Sequence, residues 1–202
     1  MRRMIVTFTG PSGVGKSTIR RELIVRDPKG TVLLPMYTTR IAKEGDEGEY
    51  IHLSPSGYVA RSKKGAFVAS TRVASGAENR QYAYAGEEIE RAWQEHRLPL
   101  LVTDLSLLQQ LIATFGCTSV LSVFLMPPGD TEKERLRVLE GRLQTRGRDT
   151  DREIVERLRN ASRDIRLPVL SPQYFHHTVI NDLLLDALQE VQRMIDISLR
   201  GS

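Results

Sequence analysis

Gly10-Pro11-Ser12-Gly13-Val14-Gly15-Lys16-Ser17 matches the pattern G-x-x-x-x-G-K-[ST]. Glycines at 10, 13 and 15 let the backbone curl so that successive N–H groups point inward, and Gly15 can lie against a phosphate with no Cβ in the way. A helix beginning near Lys16 adds the positive end of its dipole. In this pattern the lysine, Lys16, reaches the β- and γ-phosphates, and the hydroxyl of Ser17 ligates Mg²⁺. The setting fits. The β-rich apolar run Met4–Thr9 precedes the loop, and Ser17–Val25 follows with helical periodicity and stops before Asp27-Pro28. A glycine-rich turn that binds nothing would not require the whole pattern between a strand and a helix. Gly10, Ser12, Gly13, Val14, Gly15, Lys16, Ser17 and Thr18 are therefore the candidate triphosphate contacts, with Ser17 the candidate metal ligand. The pattern defines a nucleoside triphosphate site and leaves the acceptor open.

Outward from the loop, strand and helix signals alternate. This predicts one α/β domain with a P-loop NTPase fold, a parallel sheet flanked by helices. Strands are expected at Thr31–Leu34, Leu98–Val102, Ser119–Leu125 and Thr178–Ile180. Helices are expected at Gly86–His96, Leu105–Phe115, Thr131–Gln144, Asp151–Arg163 and Leu183–Ile197. Residues 35–84 differ, being rich in Gly, Ser and charge, with strand-like pieces at Tyr50–Leu53 and Ala66–Val73 and a loop at 71–81. They read as a small inserted subdomain. The core is then 1–34, 85–140 and 165–202, and residues 141–164 form a helical lid.

The chain has 202 residues, enough for one domain with a sizeable core. No apolar run approaches the ~20 residues that span a bilayer. The first eight residues run straight into the loop and read as a strand, not a signal peptide. A single cysteine, Cys117, precludes an internal disulfide. That points to the cytoplasm, and its apolar neighbours suggest a buried thiol. A net charge of +4 and a pI near 9.4 suit a nucleic acid or a small anion. With no motif for groove or single-strand recognition, small phosphates are favoured over nucleic acid, and no membrane partner is expected. The arginines between Arg135 and Arg166 form either a solvated helix face or a phosphate-binding lid. His52, His96, His176 and His177 show no metal-ligand spacing and read as surface or packing residues.

Past the loop the chain resembles the guanylate kinase family, from about residue 4 to 197. Pro11-Ser12 looks like that family's form of the phosphate loop. Thr38-Thr39-Arg40, Gly45-Asp46 and Glu49-Tyr50 look like its T-T-R-x-x-R-x-G-E-…-D-Y acceptor segment. Val102-Thr103-Asp104 resembles the strand end that carries an acidic residue towards acceptor and metal. Arg142-Leu143-Gln144-Thr145-Arg146-Gly147 and Glu156-Arg157-Leu158 resemble the family lid, and Val179-Ile180-Asn181-Asp182 its V-I-N-x-D segment. The resemblance implies that Thr39, Arg40, Lys43, Tyr50, Tyr82 and Asp104 bind a small phosphorylated acceptor. It implies that Arg142 and Arg157 clamp the transferring phosphoryl group, that Arg146 packs on the adenine of ATP, and that Asn181 lines the adenine pocket. Lys16, Arg142, Arg157 and Asp104 are the catalytic candidates, ATP and Mg²⁺ the expected cofactors, and monomer or homodimer the expected state. Each has a plainer alternative: solvated helix arginines, a helix N-cap at Asp104, a packing aromatic at Tyr50, a turn residue at Asn181.

The acceptor half departs from the family. Lys43 stands for the second arginine of the T-T-R segment, keeping charge but losing the bidentate fork. The stretch from Arg40 to Tyr50 is two residues shorter. Phe67-Val68-Ala69 replaces F-[IL]-E, so the carboxylate that takes hydrogen bonds from the guanine edge is missing; an unpaired buried base edge costs a few kcal/mol. Tyr82-Ala83-Tyr84 replaces Y-Y-G, and Leu107 the glycine of I-D-x-x-G. Three readings stand. One is a divergent guanylate kinase that reads its base with other groups, such as Ser75 or Glu78. Another is a relative with a different acceptor: ribose 1,5-bisphosphate phosphokinase shares the shortened segment, and another nucleoside monophosphate is also open. The third is a non-catalytic interaction module, although such modules typically lose the phosphate loop present here.

Overall fold

The computed structural model describes residues 3–75 and 78–200, and of residues 74, 75 and 78 only the backbone. Strands and helices are numbered in chain order. Five parallel strands form the central sheet: β1 (Ile5–Thr9), β2 (Thr31–Leu33), β7 (Leu98–Val102), β8 (Val120–Met126) and β9 (His177–Ile180), in the order β2-β7-β1-β8-β9. Every residue of β1 and β8 is buried. A strand covered on both faces has no solvent side to alternate with, so its sequence runs almost unbroken in apolar residues.

Successive β1 side chains feed opposite cores. Val6 and Phe8 pack with Ile19 and Leu23 of α1 (Lys16–Arg26) and Val191 and Ile195 of α8 (Leu184–Arg200). Ile5 packs on the other face with Ile89 of α3 (Gly86–Gln94) and with Leu107, Leu108 and Leu111 of α4 (Leu105–Phe115). The loops after β1, β7 and β9 thus gather at one edge, the carboxyl ends of the strands, where α/β sheets place their ligands. Antiparallel-packed helices α5 (Glu132–Arg146) and α6 (Asp151–Asp164) overhang that edge. Each opens with a capping box, Thr131 with Glu134 and Thr150 with Glu153. Short α7 (Leu167–Leu170) leads back to β9.

The 35–84 insertion is a second sheet, β4-β3-β6-β5, made of β3 (Met36–Thr38), β4 (Tyr50–His52), β5 (Phe67–Ser75) and β6 (Glu78–Ala85). Helix α2 (Pro55–Lys63) is capped by Ser54, whose hydroxyl accepts from the Gly57 amide at 3.1 Å. Here the structure corrects the sequence reading. The expected loop at 71–81 is mostly strand, because β5 and β6 pair from Phe67↔Ala85 to Ser75↔Glu78. Strand β3, helix α2 and strand β6 were not foreseen. A second correction concerns Cys117, which is exposed. Helix α4 ends at Gly116 (φ +84), and the 3-10 turn after it carries Cys117 off the buried stripe. Among the described residues no helix is long and apolar enough to cross a membrane.

Candidate active site

One cleft of about 1410 Å³ runs between the sheet edge, the insertion and the α5–α6 pair. The loop 10–16 forms its floor. Gly10, Gly13 and Gly15 have φ of +143°, +85° and +103°, conformations that L side chains rarely adopt. The loop is also packed from outside. A Cβ on Gly10 would strike the backbone carbonyl of Leu125, and one on Gly15 the side-chain amide of Asn181. Asn181 follows β9, is buried, and donates from Nδ2 to the Val14 carbonyl at 2.7 Å. Its role at the site is therefore structural as well as lining.

Lys16 curls back along the loop, donating to the carbonyls of Gly10 at 2.6 Å and Pro11 at 2.9 Å. Burial pushes its amine down to about 8; Asp164 and Asp104 pull it up, while Arg157 and Arg146 push it further down. Burial raises the Asp164 carboxyl, and Lys16 partly offsets that. Asp164 escaped the sequence reading. It lies seven residues after Arg157, two turns along α6, and that helical spacing was the available signal. Asp104 shows the plainer of its two readings, its Oδ1 capping α4 by accepting from the Leu107 amide at 2.8 Å, and it also lines the cleft.

The arginines of α5 and α6 reach the cleft by different routes. Arg157 donates from Nη1 to Ser12 Oγ at 2.8 Å and from Nη2 to Asp149 Oδ1 at 3.0 Å, so it already overlies the loop. Arg142 donates to the Asn181 carbonyl at 2.8 Å, on the side of the β9–α8 connection. Arg146 lines the cleft. Burial holds both Arg142 and Arg146 below the ordinary arginine range, as expected of cations placed where an anion would offset the loss of water.

Arg40 and Tyr50 meet as expected, the guanidinium lying 4.8 Å from the ring centroid. Asp46 organises this loop. It accepts from Arg40 Nη2 at 2.6 Å and from the Lys43 amide at 2.8 Å. His52, the last residue of β4, packs on this loop, one of the two roles expected of it: Nδ1 lies 2.7 Å from the Arg40 carbonyl, which can only accept, so Nδ1 carries the proton. Thr39 is taken up by pairing, its hydroxyl accepting from the Gln81 amide at 3.0 Å. Lys43 points at the lid, with Nζ 3.1 Å from Glu153 Oε1.

The β5–β6 hairpin walls the cleft on the side of the insertion. Strand alternation and the register put Ala69, Thr71 and Val73 on one face, opposite Tyr84, Tyr82 and Arg80. Ala69 and Tyr84 are sealed in the core, Tyr84 Oη bonding to the backbone of Val102 at 2.9 and 3.1 Å. Thr71, Val73, Arg80 and Tyr82 line the cleft. Thr71 and Arg80 were missed, because a loop was expected there. The side chains of Ser75 and Glu78, the suggested substitute base readers, lie outside the described residues.

The chain matches the model of the family described as guanylate kinase over residues 1–198. The guanylate kinase of Trichormus variabilis is 30% identical over 190 residues, covering 93% of this chain and 87% of its own. That of Prochlorococcus marinus is 30% identical over 193 residues, covering 95% and 96%. The crystal structure of guanylate kinase from Anaplasma phagocytophilum superposes with a TM-score of 0.66 at 16% identity, over 96% of this chain and 84% of that one. At that identity the likeness is one of fold.

Proposed function

The chain belongs to the guanylate kinase family, and from that premise we propose that it transfers the terminal phosphoryl group of ATP to GMP, forming ADP and GDP. One observation carries the reading. A single continuous cleft joins the loop at 10–16, Arg157, and the Arg40–Tyr50–Tyr82 cup. Its volume exceeds the about 300–1,000 Å³ of a site for one small ligand, as two nucleotides laid end to end require.

In this mechanism the loop amides and Lys16 hold the β- and γ-phosphates, and Arg40 and Tyr50 hold the acceptor phosphate. An oxygen of that phosphate attacks the γ-phosphorus in line. Phosphate monoesters are ionised near neutral pH, so no strong general base is called for. Catalysis is then positioning plus charge neutralisation, with Lys16, Arg142 and Arg157 around the equatorial oxygens. Ser17 and Asp104 border the cleft beside Lys16. A hydroxyl and a carboxylate suit a hard cation that keeps most of its waters, so these two would hold Mg²⁺, which supplies neutralisation of the phosphate oxygens. Residues 35–84 act as the acceptor-binding insertion and 141–164 as a lid that excludes water. With Ala69 buried, recognition of the base falls to other groups facing the cleft, among them Thr71 and Arg80.

The test is ADP release with ATP and Mg²⁺ against GMP, dGMP, AMP, UMP, CMP, dTMP and ribose 1,5-bisphosphate. Turnover is expected with GMP, and Lys16→Ala should lower it by orders of magnitude with the fold intact. Turnover of ribose 1,5-bisphosphate without GMP would overturn the acceptor assignment and make Ala69 its cause.

A further inference from the structure

Three parts of the molecule meet on one carboxylate oxygen. Asp149 Oδ1, in the α5–α6 connection, accepts from Arg157 Nη2 at 3.0 Å. The same oxygen lies 3.5 Å from Lys43 Nζ of the insertion. Through its other nitrogen Arg157 reaches Ser12 of the phosphate loop at 2.8 Å. The Asp149 side chain is 1% exposed, and its Oδ2 is buried with no hydrogen-bond partner. A carboxylate so enclosed is stable only while cations surround it. A second carboxylate supports the junction. Glu153, fixed at the start of α6 by its capping box, takes the Lys43 ammonium at 3.1 Å. Beside it the Arg148 guanidinium lies on the bare face of Gly45, where any Cβ would collide with it.

We propose that Asp149 is a positioning residue: it holds the Arg157 fork over the phosphate loop and, through Lys43, makes closure of the lid depend on closure of the acceptor loop. The inference rests on the reading of this cleft as a phosphotransferase site with Arg157 at the transferring group. The Arg157 guanidinium has two arms, one on the loop and one on Asp149, so its plane is set before nucleotide arrives. Removing Asp149 frees that plane. Removing Lys43 leaves Asp149 and Glu153, both on the lid side of the seam, without the cation they share. Lys43 then serves as a clasp between insertion and lid, while Arg40 and Tyr50 carry the acceptor phosphate.

Steady-state kinetics and hydrogen exchange test this together. Asp149→Asn should lower kcat by about 10–100-fold, the cost of a misaligned catalytic group, with acceptor KM changed by no more than about threefold. Lys43→Met, at a partly exposed position where folding is not at stake, should lower kcat by about tenfold. Lys43→Glu, which sets a third carboxylate beside Asp149 and Glu153, should be worse still. In the wild-type chain ATP alone should protect amides 40–49 from exchange, and Lys43→Met should abolish that protection. The proposal is overturned if Lys43→Met raises only acceptor KM, if Lys43→Glu is no worse than Lys43→Met, or if Asp149→Asn leaves kcat within about twofold. If the wild type turns over no acceptor, the phosphotransferase reading fails. The exchange result then still decides the clasp: protection lost in Lys43→Met supports it, and protection kept removes it.

Discussion

Lys16 shows how one buried cation is held by the loop it belongs to. Its three hydrogens need acceptors, and two loop carbonyls supply them at 2.6 and 2.9 Å. Burial, with Arg157 and Arg146 nearby, leaves the amine near 8, well below its ordinary 10.5. Two consequences of opposite sign follow. In the unfolded chain Lys16 binds a proton up to about pH 10.4, but the folded chain releases it near 8. This group therefore makes the native state more stable as pH rises from 8 towards 10. Triphosphate favours the charged amine, so ATP binding must restore the proton. ATP affinity, measured without added metal, should be flat below pH 8 and then fall by up to about tenfold per pH unit. Calorimetry in buffers of different ionisation enthalpy should show proton uptake at pH 9, absent in Lys16→Met. Equal uptake by Lys16→Met would assign the proton elsewhere. The motif made Lys16 legible in the sequence. Asp164, which pulls its amine back up, had only its two-turn spacing from Arg157 along α6 as a signal; its approach to the loop at 10–16 is set by the fold.

Among elements, those specified by their own residues were read nearly to the residue. Leu98–Val102 and Leu105–Phe115 were placed at their observed bounds, since a doubly buried strand and an amphipathic helix each carry their whole signal locally. The insertion was not. Its hairpin gains order from pairing and from α4, where Gln110 clamps both the amide and the carbonyl of Ser70 at 3.0 and 2.7 Å. The phosphate loop combines both cases. Its glycines were legible, but the neighbours that forbid side chains there come from β8 and from after β9. Those neighbours differ in kind. On Gly10 the obstacle is backbone, the Leu125 carbonyl; on Gly15 it is the Asn181 side chain. Gly10→Ala should thus destabilise the fold regardless of what stands at 181. Gly15→Ala should be partly relieved by Asn181→Ala, which itself costs about 1–3 kcal/mol by stranding the Val14 carbonyl. Urea denaturation of the two double-mutant cycles separates them. The Gly15 pair should be less than additive by about 0.5–3 kcal/mol, and the Gly10 pair should add within about 0.5 kcal/mol. Additivity in the Gly15 pair would mean that positive φ, not crowding, sets the cost there.

At the scale of the whole molecule, the question is how an insertion of some fifty residues is held to the core without freezing the cleft between them. The insertion has its own sheet and a small core around Tyr37, Tyr58, Ala83 and Ala85. A buried ion pair ties it to the core: Glu49, just before β4, meets Arg20 on α1 at 3.0 Å with side chains only 11% and 3% exposed. Arg21 adds a second contact to Glu49 at 3.1 Å from the solvent side. Because α1 is the helix that begins at the loop 10–16, this pair joins the insertion directly to the element proposed to hold the triphosphate. Attraction within a buried pair is largely offset by lost hydration, so its net contribution is small, but breaking it strands a charge. Glu49→Gln should therefore cost about 3–5 kcal/mol, since Arg20 stays buried and charged. Arg20→Met with Glu49→Leu should be far milder, because no charge is left behind. The solvent-side pair Arg166–Glu132, at 2.8 Å with side chains 62% and 34% exposed, is the control; Glu132→Gln should be far milder than Glu49→Gln, because water solvates the arginine it leaves behind. Urea unfolding with an unchanged m-value is the measurement. If Glu49→Gln falls with the control, Arg20 is reached by water, and the tie between insertion and core must be assigned to the apolar contacts of Met36 and Tyr50 with Tyr84 and the core beneath them.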